Sequence, residues 1–93
     1  MTAAPGRPRL ARRARLRRDP VGGGDVLLYP ERGLALSPSA SEVLRLCDGT
    51  RTVAGIADAL HARHPEAPRE TILRDVEALV AALAERLVLE DAG

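Results

Sequence analysis

The sequence predicts an α+β fold in which a three-stranded antiparallel sheet is followed by three helices, as in a winged helix-turn-helix domain. Short apolar segments separated by glycine- and proline-rich turns come first, and three segments with helical spacing follow. The chain has 93 residues, of which 45% are hydrophobic. That length and composition fit one domain with a core of its own.

Alternation predicts the first strand. Residues 13–17 read Arg-Ala-Arg-Leu-Arg, so Ala14 and Leu16 should face the core while the arginines face solvent. The segment 19–25, with Pro20 and three consecutive glycines, then predicts a loop.

A hairpin is predicted next, because two apolar segments flank a turn. Residues 26–29 form the second strand and residues 34–36 return as the third. Between them Pro30 can set the first corner of the turn, and Gly33 can adopt a positive φ at its exit.

Two of the three helices have clear start signals. Ser37 can cap the first helix, with Pro38 at its first position, and Gly49 ends the apolar spacing. Thr52 can cap the second helix. The third helix has a wide apolar stripe, and residues 87–89 either prolong it or add a terminal strand. The stripe consists of Ile72, Leu73, Val76, Leu79, Val80 and Leu83.

The charge is distributed unevenly although the net charge is only +1. Residues 1–18 contain seven of the fourteen arginines and no acidic residue, whereas all thirteen acidic residues follow. We expect residues 1–10 to form a flexible basic arm and residues 11–93 to form a single domain. The arm is either a solvated tail, a contact with nucleic acid or a docking segment for an acidic partner.

Residues with catalytic potential do not form a recognisable enzyme site. Cys47 falls on the apolar stripe of the first helix, as a buried hydrophobic residue would. His61 and His64 have no further ligands nearby in the sequence, and Gly22–Gly24 precede a strand instead of a helix. We therefore expect a binding module that is not an enzyme and has no metal or cofactor. A single cysteine and the lack of a long apolar run favour the cytoplasm and no membrane partner.

Several segments in and after the hairpin occur in a distinctive order and spacing. They are Val26-Leu27-Leu28-Tyr29-Pro30-Glu31, Leu36, Leu46-Cys47-Asp48-Gly49-Thr50-Arg51-Thr52-Val53 and Ile56. In this combination the chain resembles the PqqD family of pyrroloquinoline quinone (PQQ) biosynthesis proteins, from about Arg13 to Val88. Members usually have a glycine where Arg86 and Leu87 stand here, which leaves the end of the third helix open.

The resemblance implies a winged helix-turn-helix peptide chaperone, the type of the recognition elements of ribosomally made, modified peptides. Such a protein would bind the precursor peptide PqqA and deliver it to the radical-SAM enzyme PqqE, which crosslinks a glutamate to a tyrosine. The resemblance assigns no role to the arginine-rich start of the chain.

A peptide could add a strand to the edge of the sheet, because an edge strand has unpaired N–H and C=O groups. The third helix is the natural second wall of a groove beside that edge, although its residues could instead all pack in one core. The predicted peptide-binding residues are Gly33, Leu34, Ala35, Leu36, Ser37, Leu73, Val76, Glu77 and Val80.

The main alternative is a winged-helix DNA-binding protein, since such domains often bind DNA through the second and third helices. Charge opposes it, because residues 69–86 contain three arginines against four acidic residues. We therefore expect no nucleic-acid partner. A third possibility is a domain that tethers or dimerises through the same edge, and we expect a monomer or a weak homodimer.

Overall fold

A computed structural model describes residues 6–12, 14–29, 32–86 and 88–92. Its strands and helices follow the predicted α+β order, with additional strands near the two ends of the chain. The elements are β1 (Pro8–Leu10), β2 (Arg15–Arg18), β3 (Asp25–Tyr29), β4 (Arg32–Ala35), α1 (Pro38–Leu46), α2 (Val53–Arg63), α3 (Arg69–Glu85) and β5 (Leu89–Asp91).

Strands β2, β3 and β4 form an antiparallel sheet with β3 in the centre. Leu27 of β3 is fully buried, and Leu16 lies opposite it on β2, packed against the core. Ala14 is buried as well, while Arg15 and Arg17 are exposed. The alternation predicted for the first strand is therefore confirmed from Ala14 to Arg17, whereas Arg13 lies outside the described residues and the strand itself spans Arg15–Arg18.

The third strand begins earlier than the sequence suggested. It spans 32–35 instead of 34–36, because the pairing with β3 already starts at the Tyr29–Arg32 pair. The predicted turn residues Pro30 and Glu31 lie outside the described residues. Leu36 follows the strand and still donates its backbone N–H to the Asp25 carbonyl at 3.0 Å.

A second, two-stranded sheet pairs β1 with β5. Pro8 is buried, and the Arg9 guanidinium lies 2.9 Å from the Glu90 carboxylate. The flexible arm expected over residues 1–10 thus differs from the structure at 8–10. The two strands have three residues each and lie near opposite ends of the sequence. A strand this short has no recognisable hydrophobic periodicity, so the sequence does not predict the pairing. Of the two options for this part of the chain, the structure has a strand, which begins at Leu89 and ends at Asp91, whereas Leu87 lies outside the described residues.

The predicted helix starts are confirmed. The Ser37 hydroxyl accepts a hydrogen bond from the Ala40 N–H at 3.2 Å, and the Thr52 hydroxyl accepts one from the Gly55 N–H at 3.0 Å. Helix α1 ends at Leu46, and Gly49 follows with a φ of 85°. A Cβ at Gly49 would lie 2.8 Å from the Cβ of Ala92, so this turn requires glycine for space as well as for conformation.

One core joins the three-stranded sheet to the helices and to β5. Side chains from every one of these layers are almost fully removed from solvent, and α2 packs against α3. The packing leaves the opposite face of the three-stranded sheet uncovered, since Leu28 on that face is 37% exposed. The largest buried side chains are Leu27, Leu44, Ile56, Val76, Val80 and Val88, together with Pro8.

Candidate functional site

Strand β4 is an edge of the three-stranded sheet, with β3 on one side. Because the Leu36 N–H bonds to the Asp25 carbonyl, the pairs 25–36 and 27–34 are the hydrogen-bonded ones, and Ala35 opposite Val26 falls between them. The N–H and C=O of Ala35 therefore point away from β3. Among the described residues no strand pairs with that side of β4, so these groups are available to another backbone.

The other edge of the sheet is β2, which has arginine at three of its four positions. Charged side chains on an edge strand discourage the addition of a further strand. The two edges are therefore not equivalent, and β4 is the one open to pairing.

A groove of about 620 Å³ begins where the β4 segment ends. Ser37, the residue after Leu36, lines its mouth and also caps α1. The walls are the first half of α1 and the first half of α3, and the end of α2 closes the groove. It is lined by Ser37, Pro38, Ser39, Ala40, Glu42, Val43, Leu60, His64, Glu66, Ala67, Ile72, Asp75, Val76 and Leu79.

The floor of the groove is apolar. Val43, Leu60 and Val76 are buried, and Ile72 and Leu79 are half-buried against the core. Concave sites with an apolar floor and a few polar groups are typical of ligand-binding sites. The groove could thus receive apolar side chains from a peptide that pairs with β4.

The rim of the groove is acidic. Glu42, Glu66 and Asp75 line it, and within the described part of the chain no lysine or arginine does. Asp75 is exposed and has no ion-pair partner within the described part of the chain. This rim would repel phosphate groups and attract a basic side chain.

Glu42 is held in place by the end of α2. Its carboxylate lies 3.0 and 3.1 Å from Nε2 of His64, and Arg63 lies 3.8 Å away. The hydrogen bond with His64 lowers the pKa of Glu42 against the opposing effect of burial, and the charges of His64 and Arg63 lower it further. These contacts join α1 to the end of α2 at the rim of the groove.

The structure brings only part of the predicted site together. The backbone of residues 33–37 forms the open edge and the mouth of the groove, and Val76 lies on the groove floor. Leu73 and Glu77 do not line the groove, and Val80 is fully buried in the core. Helix α3 is rotated so that a different side of it faces α1.

Sequence reasoning missed the α3 residues at Ile72, Asp75 and Leu79, which share one face through their three- and four-residue spacing. The spacing was visible in the sequence. However, periodicity alone does not show which side of a wide apolar stripe packs against the core and which side remains accessible.

The residues considered for catalysis have structural roles. Cys47 is 4% exposed, and burial raises the pKa of its thiol to about 12, so it remains protonated and apolar in character. The Gly22–Gly24 segment is a loop closed by Asp19, whose carboxylate accepts the Val21 N–H at 2.9 Å. It leads into β3, as the sequence indicated. His61 has a buried Nδ1 that finds no hydrogen-bond partner among the residues the structure describes.

The described residues contain neither a cluster of metal ligands nor a membrane-spanning helix. No group of three or more histidine, cysteine, aspartate or glutamate side chains is arranged to hold a metal ion within that part of the chain. No helix in the same residues has the length and apolar character needed to cross a membrane.

Comparison with known proteins identifies the family. The family model for coenzyme PQQ synthesis protein D (PqqD) matches residues 25–89. The PqqA binding protein of Bradyrhizobium diazoefficiens is 45% identical over 86 residues, which cover 92% of this chain and 82% of the relative. The PqqA binding protein of Rhodopseudomonas palustris strain TIE-1 is 48% identical over the same length, covering 92% of this chain and 83% of that protein.

A solved structure shows the same fold. It is the solution NMR structure of the PqqD part of Methylobacterium extorquens PqqCD, described as a functional and stand-alone recognition element for ribosomally synthesized and post-translationally modified peptides. The two folds superpose with a TM-score of 0.78 at 43% identity, covering 96% of each chain. The predicted α+β fold and the resemblance are thereby confirmed, and the chain belongs to the PqqD family.

Proposed function

We propose that this protein binds the ribosomal precursor peptide PqqA by strand addition along β4 and presents it to the radical-SAM enzyme PqqE during PQQ synthesis. The observation that carries the proposal is the continuity between the open edge at Ala35 and the groove that starts at Ser37. The names of the relatives, PqqA binding proteins, supply the ligand.

An added strand would use both parts of the site. Its backbone would bond to the outward N–H and C=O of Ala35, about 4.8 Å from β4. Successive side chains of a strand point to opposite faces, so every second side chain would point toward the helices. Beyond Ser37 the peptide would leave the sheet and enter the groove, where Ile72 and Leu79 would contact apolar side chains.

The role requires binding without chemistry. PqqE would carry out the crosslinking reaction, and this protein would hold the peptide in an extended conformation that the enzyme can accept. Ordering a flexible peptide on binding costs conformational entropy. Because the strand edge and the groove of the protein are already formed, the protein itself loses little further conformational entropy. Bonding of Glu42 to His64 at the groove rim is consistent with such preorganisation.

Charge argues against the DNA-binding alternative. A recognition surface for DNA needs basic side chains, whereas the groove is rimmed by Glu42, Glu66 and Asp75. Asp75, the acidic residue that α3 contributes to this rim, would repel the phosphate backbone. Self-association through β4 competes with peptide addition for the same edge, so a homodimer would have to dissociate before the peptide binds.

The test compares the two ligands directly. Calorimetry at physiological salt should show binding of synthetic PqqA and only weak binding of duplex DNA, and the backbone amides of Ala35, Ser37 and Ile72 should shift on peptide addition in NMR spectra. Amides of β1 and β5 provide the internal control, since that sheet is separate from the β4 edge. Sequence-selective DNA binding without any response to the peptide would overturn the proposal.

A further inference from the structure

The uncovered face of the three-stranded sheet combines apolar and basic groups. Val26 and Leu28 of β3 point to the side opposite the buried Leu27, and Arg15 and Arg17 lie across from Leu28 and Val26 on β2. Ala35 of β4 continues the same face and is exposed. We call these five residues the outer sheet face. Helices cover only the opposite face, where the core lies.

The arginines of this face lack carboxylate partners. Five arginines elsewhere in the described part of the chain are paired, in the ion pairs Arg9–Glu90, Arg45–Asp25, Arg51–Asp48, Arg63–Glu42 and Arg69–Asp58. Arg15 and Arg17 take part in no ion pair with the described residues, and neither does the neighbouring Arg12. Arg15 and Arg17 therefore give the outer sheet face a positive charge that no described carboxylate compensates.

We propose that the outer sheet face is the docking surface for an acidic patch on the enzyme that receives the peptide. This inference rests on the proposed function and adds the surface and the chemistry of the partner. Arg15 and Arg17 would pair with carboxylates of that patch, and Leu28 with Val26 would pack against apolar groups at its centre. Such a mixture of an apolar centre and charged surroundings is typical of protein interfaces.

The position of this face relative to the peptide supports the assignment. A strand added to β4 would become the fourth strand of the same sheet, and its outward side chains would lie in the same plane as Ala35 and Leu28. Strands in a sheet are about 4.8 Å apart, so those side chains would lie about 10 Å from Leu28. An enzyme seated on the outer sheet face would thus contact the bound peptide directly.

The groove rim and the outer sheet face also carry charges of opposite sign. The groove rim is acidic through Glu42, Glu66 and Asp75, whereas the outer sheet face is basic through Arg15 and Arg17. An acidic enzyme surface would be repelled by the groove and attracted to the sheet, so it would not compete with the peptide for its site. Both partners can therefore be bound at once, which a transfer of the peptide requires.

Nucleic acid is a poorer match for this face. Between the arginine-bearing strand and the open edge lie Val26 and Leu28, whose side chains cannot bond to phosphate. Recognition of a phosphate backbone depends on a continuous set of basic side chains. A protein surface with carboxylates beside apolar groups can pair with Arg15 and Arg17 and also pack against Val26 and Leu28.

The test uses two charge-reversed variants of the full chain that change the net charge equally. Arg15→Glu with Arg17→Glu alters the outer sheet face, and Arg74→Glu with Arg86→Glu is the matched control, because both control arginines are exposed and take part in no ion pair with the described residues. Affinity for purified PqqE is measured with and without PqqA. Affinities for PqqA alone and for duplex DNA are measured in parallel, and circular dichroism checks the fold.

We expect the sheet variant to lose affinity for PqqE by about tenfold or more while its affinity for PqqA is unchanged, and we expect the control to behave as the parent does. Unchanged affinity of the sheet variant for PqqE, no binding of PqqE by the parent, or a loss confined to DNA binding would overturn the inference. Failure of the parent to bind PqqA would instead overturn the proposed function, so the two failures are distinguishable.

Discussion

Asp25 at the start of β3 accepts a hydrogen bond from the Arg45 guanidinium of α1 at 2.7 Å, and it also accepts one from the Ser41 hydroxyl one turn earlier on that helix. The carboxylate is 8% exposed and lies next to the backbone carbonyl that bonds to Leu36. Asp25 thus fixes α1 against the sheet at the point where the open edge meets the groove.

The first prediction concerns acid stability. The hydrogen bond from Ser41, followed by the hydrogen bond and charge of Arg45, holds the pKa of Asp25 below its usual value despite the opposing effect of burial. A lowered folded-state pKa stabilises the fold above the unfolded-state pKa of about 3.9, and this stabilisation is lost as the pH falls through the folded-state pKa. Asp25→Asn should therefore be less stable than the parent at neutral pH, and the difference should shrink in acid.

Chemical unfolding from neutral to acidic pH measures this effect. Asp58→Asn is the control, because Asp58 pairs with Arg69 on the surface, where ion pairs contribute little. Equal stability of Asp25→Asn and the parent at every pH would show that the carboxylate does not tie α1 to the sheet.

The second prediction tests strand addition. Ala35→Pro removes an N–H that points to the open edge, so PqqA affinity should fall by about 1–3 kcal/mol. Leu36→Pro removes the N–H that bonds to the Asp25 carbonyl at 3.0 Å, so its main effect should be on the free energy of unfolding. Calorimetry and thermal unfolding separate the two effects. If both variants fold and bind PqqA as the parent does, the peptide does not pair with β4.

The third prediction separates two faces of α3. Ile72→Ala removes a groove-lining side chain and should weaken PqqA binding by about 1–2 kcal/mol, whereas Leu73→Ala should leave it unchanged because Leu73 lies outside the groove. Titration of each variant with the peptide, after a check of its thermal stability, provides the measurement. The reverse order of effects would place the peptide on the other side of the helix.

The fourth prediction concerns the start of the chain. Deleting residues 1–10 removes β1, with the buried Pro8 and with Leu10 that packs on the core, and should lower the free energy of unfolding by about 2–3 kcal/mol. Deleting residues 1–5 leaves those contacts in place and serves as the control. Peptide affinity should survive both deletions, since β1 does not contact the proposed site. Equal stability of the two truncated proteins would show that the β1–β5 sheet adds nothing to the fold.

The fifth prediction compares two glycines that share a positive φ. Gly49→Ala would place a methyl group 2.8 Å from Ala92, whereas Gly23→Ala meets no atom within 4 Å. Because alanine disfavours a positive φ, both substitutions should lower the free energy of unfolding by about 1 kcal/mol. The clash with Ala92 should lower it by about 2 kcal/mol more in Gly49→Ala. Thermal unfolding of the two variants decides it, and equal losses would mean that Ala92 moves aside freely.

The parts of the fold that were predictable from sequence depend on local signals. Ser37 and Thr52 cap their helices with hydrogen bonds that involve the next three residues, and the alternation around Leu16 shows which side of β2 is buried. These features depend on a few neighbouring residues and not on contacts with distant segments of the chain.

The features that were not predictable depend on contacts between distant segments. The pairing of Arg9 with Glu90 joins the two ends of the chain, and strands of three residues have too short a pattern to reveal it. The groove depends on the rotation of α3, which is set by its packing against α2 and β5. For this reason Val80 was assigned to the peptide site although it belongs to the core, and Leu79 was not assigned to it.

The pairing of β1 with β5 also determines how the protein could be joined to others. Because the two strands are antiparallel, Arg7 just before β1 lies beside Ala92 just after β5. The Ala92 N–H donates a hydrogen bond to the Arg7 carbonyl at 3.0 Å. A short linker between Arg7 and Ala92 could therefore close the chain into a ring, and new ends could be opened in the loop around Gly23. A fusion partner joined next to Arg7 or next to Ala92 would be held at the same corner of the molecule. The architecture thus suits this domain to being carried as a module within a larger polypeptide.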